Sequence, residues 1–231
     1  SSYERAAVLK RVVEGIGERA EELARTICVE SGKPIREARG EVCRAQNTFE
    51  IAAEEAKRLG GEVMPLDIMP GNDGRFAIIR RFPVGVVLGI TPFNFPLNLV
   101  AHKVAPAMAC GNPIIIKPAQ ATPITALKLA QIIEAAGWPS GALSVVPCTN
   151  ENAQNLFLDE RVKKLSFTGS AKVGWMLKAM AGQKKVTLEL GGNAGVIVHS
   201  DADVMEAAER CALGAFSNAG QICISVQRIF V

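Results

Sequence analysis

Apolar residues recur every three to four positions over the first sixty residues, and short apolar runs separated by turn residues follow. From Tyr3 to Ile27, the positions Ala6, Leu9, Val12, Val13, Ile16, Ala20, Leu23 and Ile27 fall on one stripe and predict one amphipathic helix. Ser31-Gly32-Lys33-Pro34 predicts a stop and restart, because Gly suits the exit of a helix and Pro its first turn. Ile35, Ala38, Val42, Ala45, Phe49 and Ala52 then line the buried face of a second helix, which Gly60-Gly61 ends. Asn72-Asp73-Gly74 reads as a turn ahead of the strand-like run Phe76 to Arg80, so 62–81 is expected to form an extended hairpin or arm.

Five apolar runs come next: Val84 to Ile90, Pro113 to Lys117, Leu143 to Pro147, Val162 to Phe167 and Val186 to Leu190, with helix-like segments between them. These runs are continuous rather than alternating, which calls for helices on both faces of a parallel, doubly wound sheet. Thr122-Pro123 reads as the cap and first turn of an intervening helix with Ile124, Leu127 and Ile132 inward and Gly137 at its exit. Beyond Leu190 the pattern predicts a strand at Val196 to His199, a helix at Asp203 to Phe216 and a last strand in Val226 to Val231.

Composition narrows the function classes. With 48% apolar and 21% charged residues in 231, the chain has the makeup of a globular protein. A net charge of +3 lacks the excess a nucleic-acid binder carries, and no apolar run reaches the roughly 18 to 20 residues of a membrane span. The six cysteines are widely spaced, with no CxxC or His-bearing metal spacing, which reads as reduced thiols in a cytoplasmic protein. The chain opens without an initiator Met or an apolar targeting core, so trimming upstream is expected.

Five segments at strand ends carry candidate chemistry. Phe167-Thr168-Gly169-Ser170 is a strand-to-helix turn whose backbone N–H groups suit a phosphate, although capped turns without ligands are common in α/β folds. Lys117 ends a strand where open α/β sheets bind ligands; a snorkelling surface lysine is the alternative. Asn94, between Pro92, Phe93, Phe95 and Pro96, is a rigidly held amide suited to an oxyanion. Glu189, flanked by leucines, is a candidate buried base whose proton affinity desolvation would raise, unless it merely faces water. Cys223, after Gly220-Gln221, sits on a loop, whereas Cys28, Cys43 and Cys211 fit helical patterns as small core residues.

Taken in order, Thr91-Pro92-Phe93-Asn94-Phe95-Pro96, Lys117-Pro118-Ala119-Gln120, Phe167-Thr168-Gly169-Ser170, Glu189-Leu190-Gly191-Gly192 and Gly220-Gln221-Ile222-Cys223 resemble the aldehyde dehydrogenase superfamily across essentially the whole chain. The resemblance implies a Rossmann-like sheet for 1–61 and 82–191, an oligomerisation arm for 62–81 that makes a homodimer or homotetramer, and a stub of a second α/β catalytic domain for 192–231. It implies NAD- or NADP-dependent oxidation of a small aldehyde to a carboxylic acid, with no metal. Cys223 would be the nucleophile, Asn94 and the Cys223 N–H the oxyanion donors, and Glu189 the base that activates water against a thioester. Thr91, Pro92, Phe93, Lys117, Gln120, Gly169, Ser170, Val173 and Leu190 would contact the dinucleotide. Gln120 stands where NAD-preferring members often carry a glutamate, leaving NADP open.

Phe95, Leu99 and His102, spaced by four and three, would line an aldehyde tunnel with Ile222 and Ile224. The surroundings of Asn98 and His102 are similar to those in dehydrogenases of short hydroxylated or phosphorylated aldehydes. Family members continue well past the nucleophile, so the chain is expected to be truncated at both ends and inactive by itself. A non-catalytic nucleotide-binding or structural module with an inert Cys223 is the competing reading. A cysteine hydrolase is disfavoured, because neither His102 nor His199 stands in a context that partners a thiol.

Overall fold

The computed structural model describes Ser1–Val231 throughout. Its N-terminal layer is three helices, α1 (Ser2–Glu18), α2 (Ala20–Ser31) and α3 (Ile35–Arg58). The single helix expected over Tyr3 to Ile27 is two, because Arg19 leaves helical geometry (φ −105°, ψ 17°) while its guanidinium holds Glu22 at 2.7 Å. The predicted stripe is nonetheless inward: Leu9, Val12, Ile16, Leu23, Ile27, Ala38, Val42, Ala45 and Phe49 are all buried. Ile35, at the helix mouth, is half-exposed.

The arm is an antiparallel hairpin, β1 (Glu62–Pro65) on β2 (Phe76–Ile79), with Val63, Ile68, Phe76 and Ile78 exposed. The body of the fold is a five-stranded parallel sheet of β3 (Val86–Ile90), β4 (Ile114–Lys117), β5 (Leu143–Val145), β6 (Val162–Thr168) and β7 (Lys185–Glu189). Its order is β5-β4-β3-β6-β7. Each apolar run of the sequence thus becomes a strand within two residues. The connecting helices are α4 (Asn98–Ala109), α5 (Ile124–Ala135), α6 (Asn150–Leu158) and α7 (Ala171–Met180). The chain reverses direction across the sheet between β3 and β6, and in such sheets the crevice at the carboxyl ends of those strands receives ligands.

A core cluster of 31 buried residues lies under α1 to α5, whereas only 7, including Leu88, Phe157, Leu165, Phe167 and Leu177, join β6 to α6 and α7. The remaining elements are β8 (Gly195–Ile197), α8 (Val204–Phe216), a turn at Ser217–Gly220 and β9 (Arg228–Phe230), with β8 and β9 pairing in parallel. No helix is long and apolar enough to cross a membrane. All six cysteines are free, and Cys43 is exposed rather than core, because it lies on the outer face of α3 next to buried Val42.

The cap of α5 corrects the sequence reading. The Thr122 hydroxyl is buried without a partner, and the Glu30 carboxylate, from the end of α2, accepts instead from the N–H groups of Ile124 and Thr125 and from the Thr125 hydroxyl. Ile124 turns outward beside that carboxylate, 46% exposed.

Candidate active site

The crevice at the sheet's carboxyl edge is a cavity of about 580 Å³. Thr91, Pro92, Lys117, Gln120, Gly169, Ser170 and Val173 all line it, together with Asn150, Glu151 and Met176. Phe93 is not among its lining residues and is 44% exposed. Lys117, almost fully buried at the end of β4, donates to Asn150 Oδ1 at 3.0 Å; burial pushes its proton affinity down and the nearby Cys148 thiol partly opposes this.

The wall opposite is the turn from β6 into α7. The Gly169 N–H donates to the Glu189 carbonyl at 3.0 Å, and Ser170 caps α7 through Val173 N. A Cβ at Gly169 would lie 2.6 Å from the Phe167 ring, so the turn can pass over that ring only as bare backbone. The first N–H groups of α7 have no partner within the helix, and its dipole favours an anion there. Bare backbone, a helix N-terminus and a buried lysine across the crevice fit the pyrophosphate and ribose of a dinucleotide.

The expected catalytic groups come together beside this crevice. Cys223 and Glu189 line one cavity of about 350 Å³, with Leu190, Gly192 and Ile224. The Asn94 amide donates to the Gln221 carbonyl at 2.8 Å, two residues before the thiol. Asn218 Nδ2 reaches back to the Asn94 carbonyl at 3.5 Å. The thiol loop is approached through a left-handed turn in which Asn218 and Ala219 have φ of 49° and 56°. Such angles are strained for residues with a Cβ, so contacts such as the two with Asn94 are needed to hold them.

Glu189 departs from its expectation: it is exposed, not buried, because it ends the edge strand β7, whose side chains alternate between a half-covered and an open face. Leu190, expected at the dinucleotide, lines the thiol cavity instead and is not among the residues of the crevice, because its side chain lies against Gly174 of α7. The tunnel residues are less enclosed than expected: Phe95 and Leu99 are half-buried, Ile222 is half-buried, His102 is exposed and Ile224 is 84% exposed. His199 is on the surface, paired with Asp201 at 2.8 Å, away from the thiol cavity.

Sequence reasoning missed four charged groups, two behind the Asn94 loop, one beside Phe95 and one beside the Glu189 strand. Lys33 and Glu41 form a buried ion pair behind the Asn94 loop. The Arg44 guanidinium lies 5.6 Å from the Phe95 ring centroid; although the His102 residue is exposed, partial desolvation of its ring, then Arg44 and Lys103, push it below the usual imidazole range against the Glu189 charge. Lys103 donates to Thr168 Oγ1 at 2.8 Å, beside Glu189 in the strand register; burial lowers it to about 8 although the Glu189 charge opposes this. Glu41 and Lys103 carry a readable signal, since each is a charge set in an apolar helical stripe, Glu41 between Ala38 and Ala45 and Lys103 between Val100 and Ala107.

The model of the aldehyde dehydrogenase family matches residues 1–231. This chain belongs to that family. It is 50% identical over 234 residues to the 3-sulfolactaldehyde dehydrogenase of Priestia aryabhattai, covering 100% of this chain and 49% of the relative. Aldehyde dehydrogenase 21 of Physcomitrella patens, solved with its reaction product succinate, superposes with a TM-score of 0.94 at 50% identity, over 99% of this chain and 48% of that one. The glyceraldehyde-3-phosphate dehydrogenase GapN of Methanocaldococcus jannaschii, solved with NADP, gives 0.93 at 42% identity, over 99% and 50%. The chain spans about half the length of the curated relatives it matches.

Proposed function

We propose that the polypeptide to which this aldehyde dehydrogenase segment belongs oxidises a short, anion-bearing aldehyde to its carboxylic acid, with NAD or NADP as oxidant. The observation that carries this reading is the convergence of Asn94 on the Cys223 loop, with Glu189 in the same cavity as the thiol.

In this reading the Cys223 thiolate adds to the aldehyde carbon, and the oxyanion so formed is received by the Asn94 amide and the Cys223 backbone N–H. A nicotinamide held in the crevice would supply the acceptor for the hydride that leaves the thiohemiacetal carbon as the Cys223 thioester forms. Glu189 then takes a proton from the water that attacks the thioester carbon; the carbon–sulfur bond breaks and the thiolate returns. Lys103, lodged behind Thr168, offers a positive charge to the Glu189 carboxylate. In this reading the α7 N-terminus would hold the pyrophosphate, Lys117 and Gln120 the adenosine ribose, and Val173 the adenine, all of them lining the crevice; neutral Gln120 would leave a 2′-phosphate unopposed at that position.

Arg44, whose guanidinium lies 5.6 Å from the Phe95 ring centroid, supports the substrate class. The relatives' printed names point the same way, through a sulfonate, a carboxylate product and a phosphate. Residues 1–61 and 82–191 serve the dinucleotide, 192–231 begin the catalytic part, and the apolar arm pairs copies into a dimer or tetramer.

The test is aldehyde-dependent NAD(P)H formation by the complete polypeptide. Cys223→Ser should abolish it. Glu189→Gln should leave a single stoichiometric burst, since only thioester hydrolysis is blocked. Full steady-state turnover in Glu189→Gln would remove the assigned base. Gln120→Glu should weaken NADP binding more than NAD, by like-charge repulsion of the 2′-phosphate.

A further inference from the structure

Lys33 enters the sequence only as part of a helix break, yet its ammonium is among the most enclosed charges of the molecule. It and the Glu41 carboxylate are each 1% exposed as side chains and meet at 2.5 Å. The same ammonium donates to the Asn94 carbonyl at 2.8 Å and lies 3.9 Å from the centroid of the Phe95 ring. The other oxygen of Glu41 accepts from the N–H groups of Leu97 and Asn98, at 2.9 and 3.1 Å. One ion pair therefore grips both ends of the turn that presents Asn94: its first carbonyl and its last two amides.

A buried ion pair is a poor source of stability, because desolvating two charges offsets much of their attraction. What it supplies is direction, since each charge accepts only partners of the right sign and geometry. Here the partners are the carbonyl of Asn94 itself and the amides three and four residues further on, which is the turn that leads away from the amide assigned to the oxyanion. Fixing them leaves the Asn94 side chain two torsions, and the Gln221 carbonyl restrains those.

We propose that Lys33 and Glu41 are positioning residues for the oxyanion step, acting through Asn94 without touching substrate. This rests on the reading of Asn94 as oxyanion donor. Lys33 faces Glu41, the Asn94 carbonyl and the Phe95 ring, and Glu41 faces Lys33 and the first amides of α4; the pair has no line to the dinucleotide crevice except through that loop.

The experiment is a double-mutant cycle in the complete polypeptide. Lys33→Met with Glu41→Gln removes both charges but keeps an acceptor for the α4 amides. The rate of the first NAD(P)H burst should fall roughly 10- to 100-fold, as for a displaced catalytic group, with dinucleotide affinity and aldehyde KM changed less than about threefold. Combined with Asn94→Ala, the pair variant should be no slower than Asn94→Ala alone, because both act on one donor.

Losses that multiply, or a parallel loss of dinucleotide affinity, would show a merely structural pair and overturn the proposal. So would an undiminished burst in the pair variant, provided Asn94→Ala slows it. An undiminished burst in Asn94→Ala removes the oxyanion reading and this inference with it. Lys33→Arg is a second variant: it keeps the charge balance but exchanges a point charge for a planar fork, and should slow the burst at least about fivefold; full rate in a folded Lys33→Arg protein counts against the proposal.

Discussion

The side-chain amide of Asn94 donates to the main-chain carbonyl of Gln221 across 127 residues of sequence, at 2.8 Å. This contact draws the loop after β3 and the thiol loop into one site. It uses one N–H of the amide and leaves the other without a protein partner, while Asn94 Oδ1 is buried without one. Asn94→Ala should lower the burst rate of the complete polypeptide by about 10²- to 10³-fold, the usual effect of deleting an oxyanion donor. It should also speed alkylation of Cys223 relative to Cys211, which is buried and keeps its surroundings. Rapid-quench kinetics and iodoacetamide labelling check the two effects separately.

Gly169 offers a sharper test of the dinucleotide crevice. Gly169→Ala sets a Cβ 2.6 Å from the Phe167 ring, so either the turn or the ring must shift, and both line the crevice. Dinucleotide affinity should fall at least about tenfold, with a stability loss of about 1 to 3 kcal/mol from overpacking. Calorimetric titration with NAD and NADP measures the first and urea unfolding the second. Unchanged affinity for both dinucleotides would place the phosphates elsewhere.

Lys103 makes stability depend on pH. Its folded-state proton affinity, lowered by burial to about 8, lies below that of a lysine in the unfolded chain. Between about pH 8 and 10.5 the unfolded state therefore binds the extra proton, and stability from this group rises with pH. Lys103→Met removes the effect. Wild type should gain stability on the variant by up to about 3 kcal/mol across that window and track it below pH 8, as chemical unfolding at a series of pH values would show.

The first turn of α5 hangs on a residue from another helix. Glu30→Ala leaves the Ile124 and Thr125 amides without their acceptor and should cost about 1 to 2 kcal/mol, as for loss of a cap. Thr122→Val should be neutral or slightly stabilising, because its buried hydroxyl bonds to nothing. The opposite ranking in thermal melts would restore Thr122 as the cap.

The Glu30 result also marks where sequence reading stops. The five sheet strands, the hairpin and the helices between them follow from period and punctuation, which are local. Cys223, Glu189, Asn94, Lys117 and Ser170 were legible because each stands at a strand end or loop in an ordered set of motifs. Groups paired over long separations were not: Glu30 with Thr125, Lys33 with the Asn94 carbonyl and Lys103 with Thr168 are 95, 61 and 65 residues apart. No periodicity encodes such distances. The same is true of Arg19, whose departure from the helix is tied to Glu22 and, through Gln131, to α5. Burial was over-read for Glu189 and Cys43, since flanking apolar residues say nothing about which side of an element is covered.

The unequal cores on the two faces of the sheet have a kinetic consequence. α6 and α7 rest on the set of 7 buried residues, while α1, α3 and α4 share the set of 31. Segments with little apolar anchorage open first in native fluctuations. Amide hydrogens of α6 and α7 should therefore exchange with solvent well before those of α3. A dinucleotide bridging Lys117 and Ser170 would clasp the looser half to the firmer one, slowing exchange in α7 and leaving α3 unaltered.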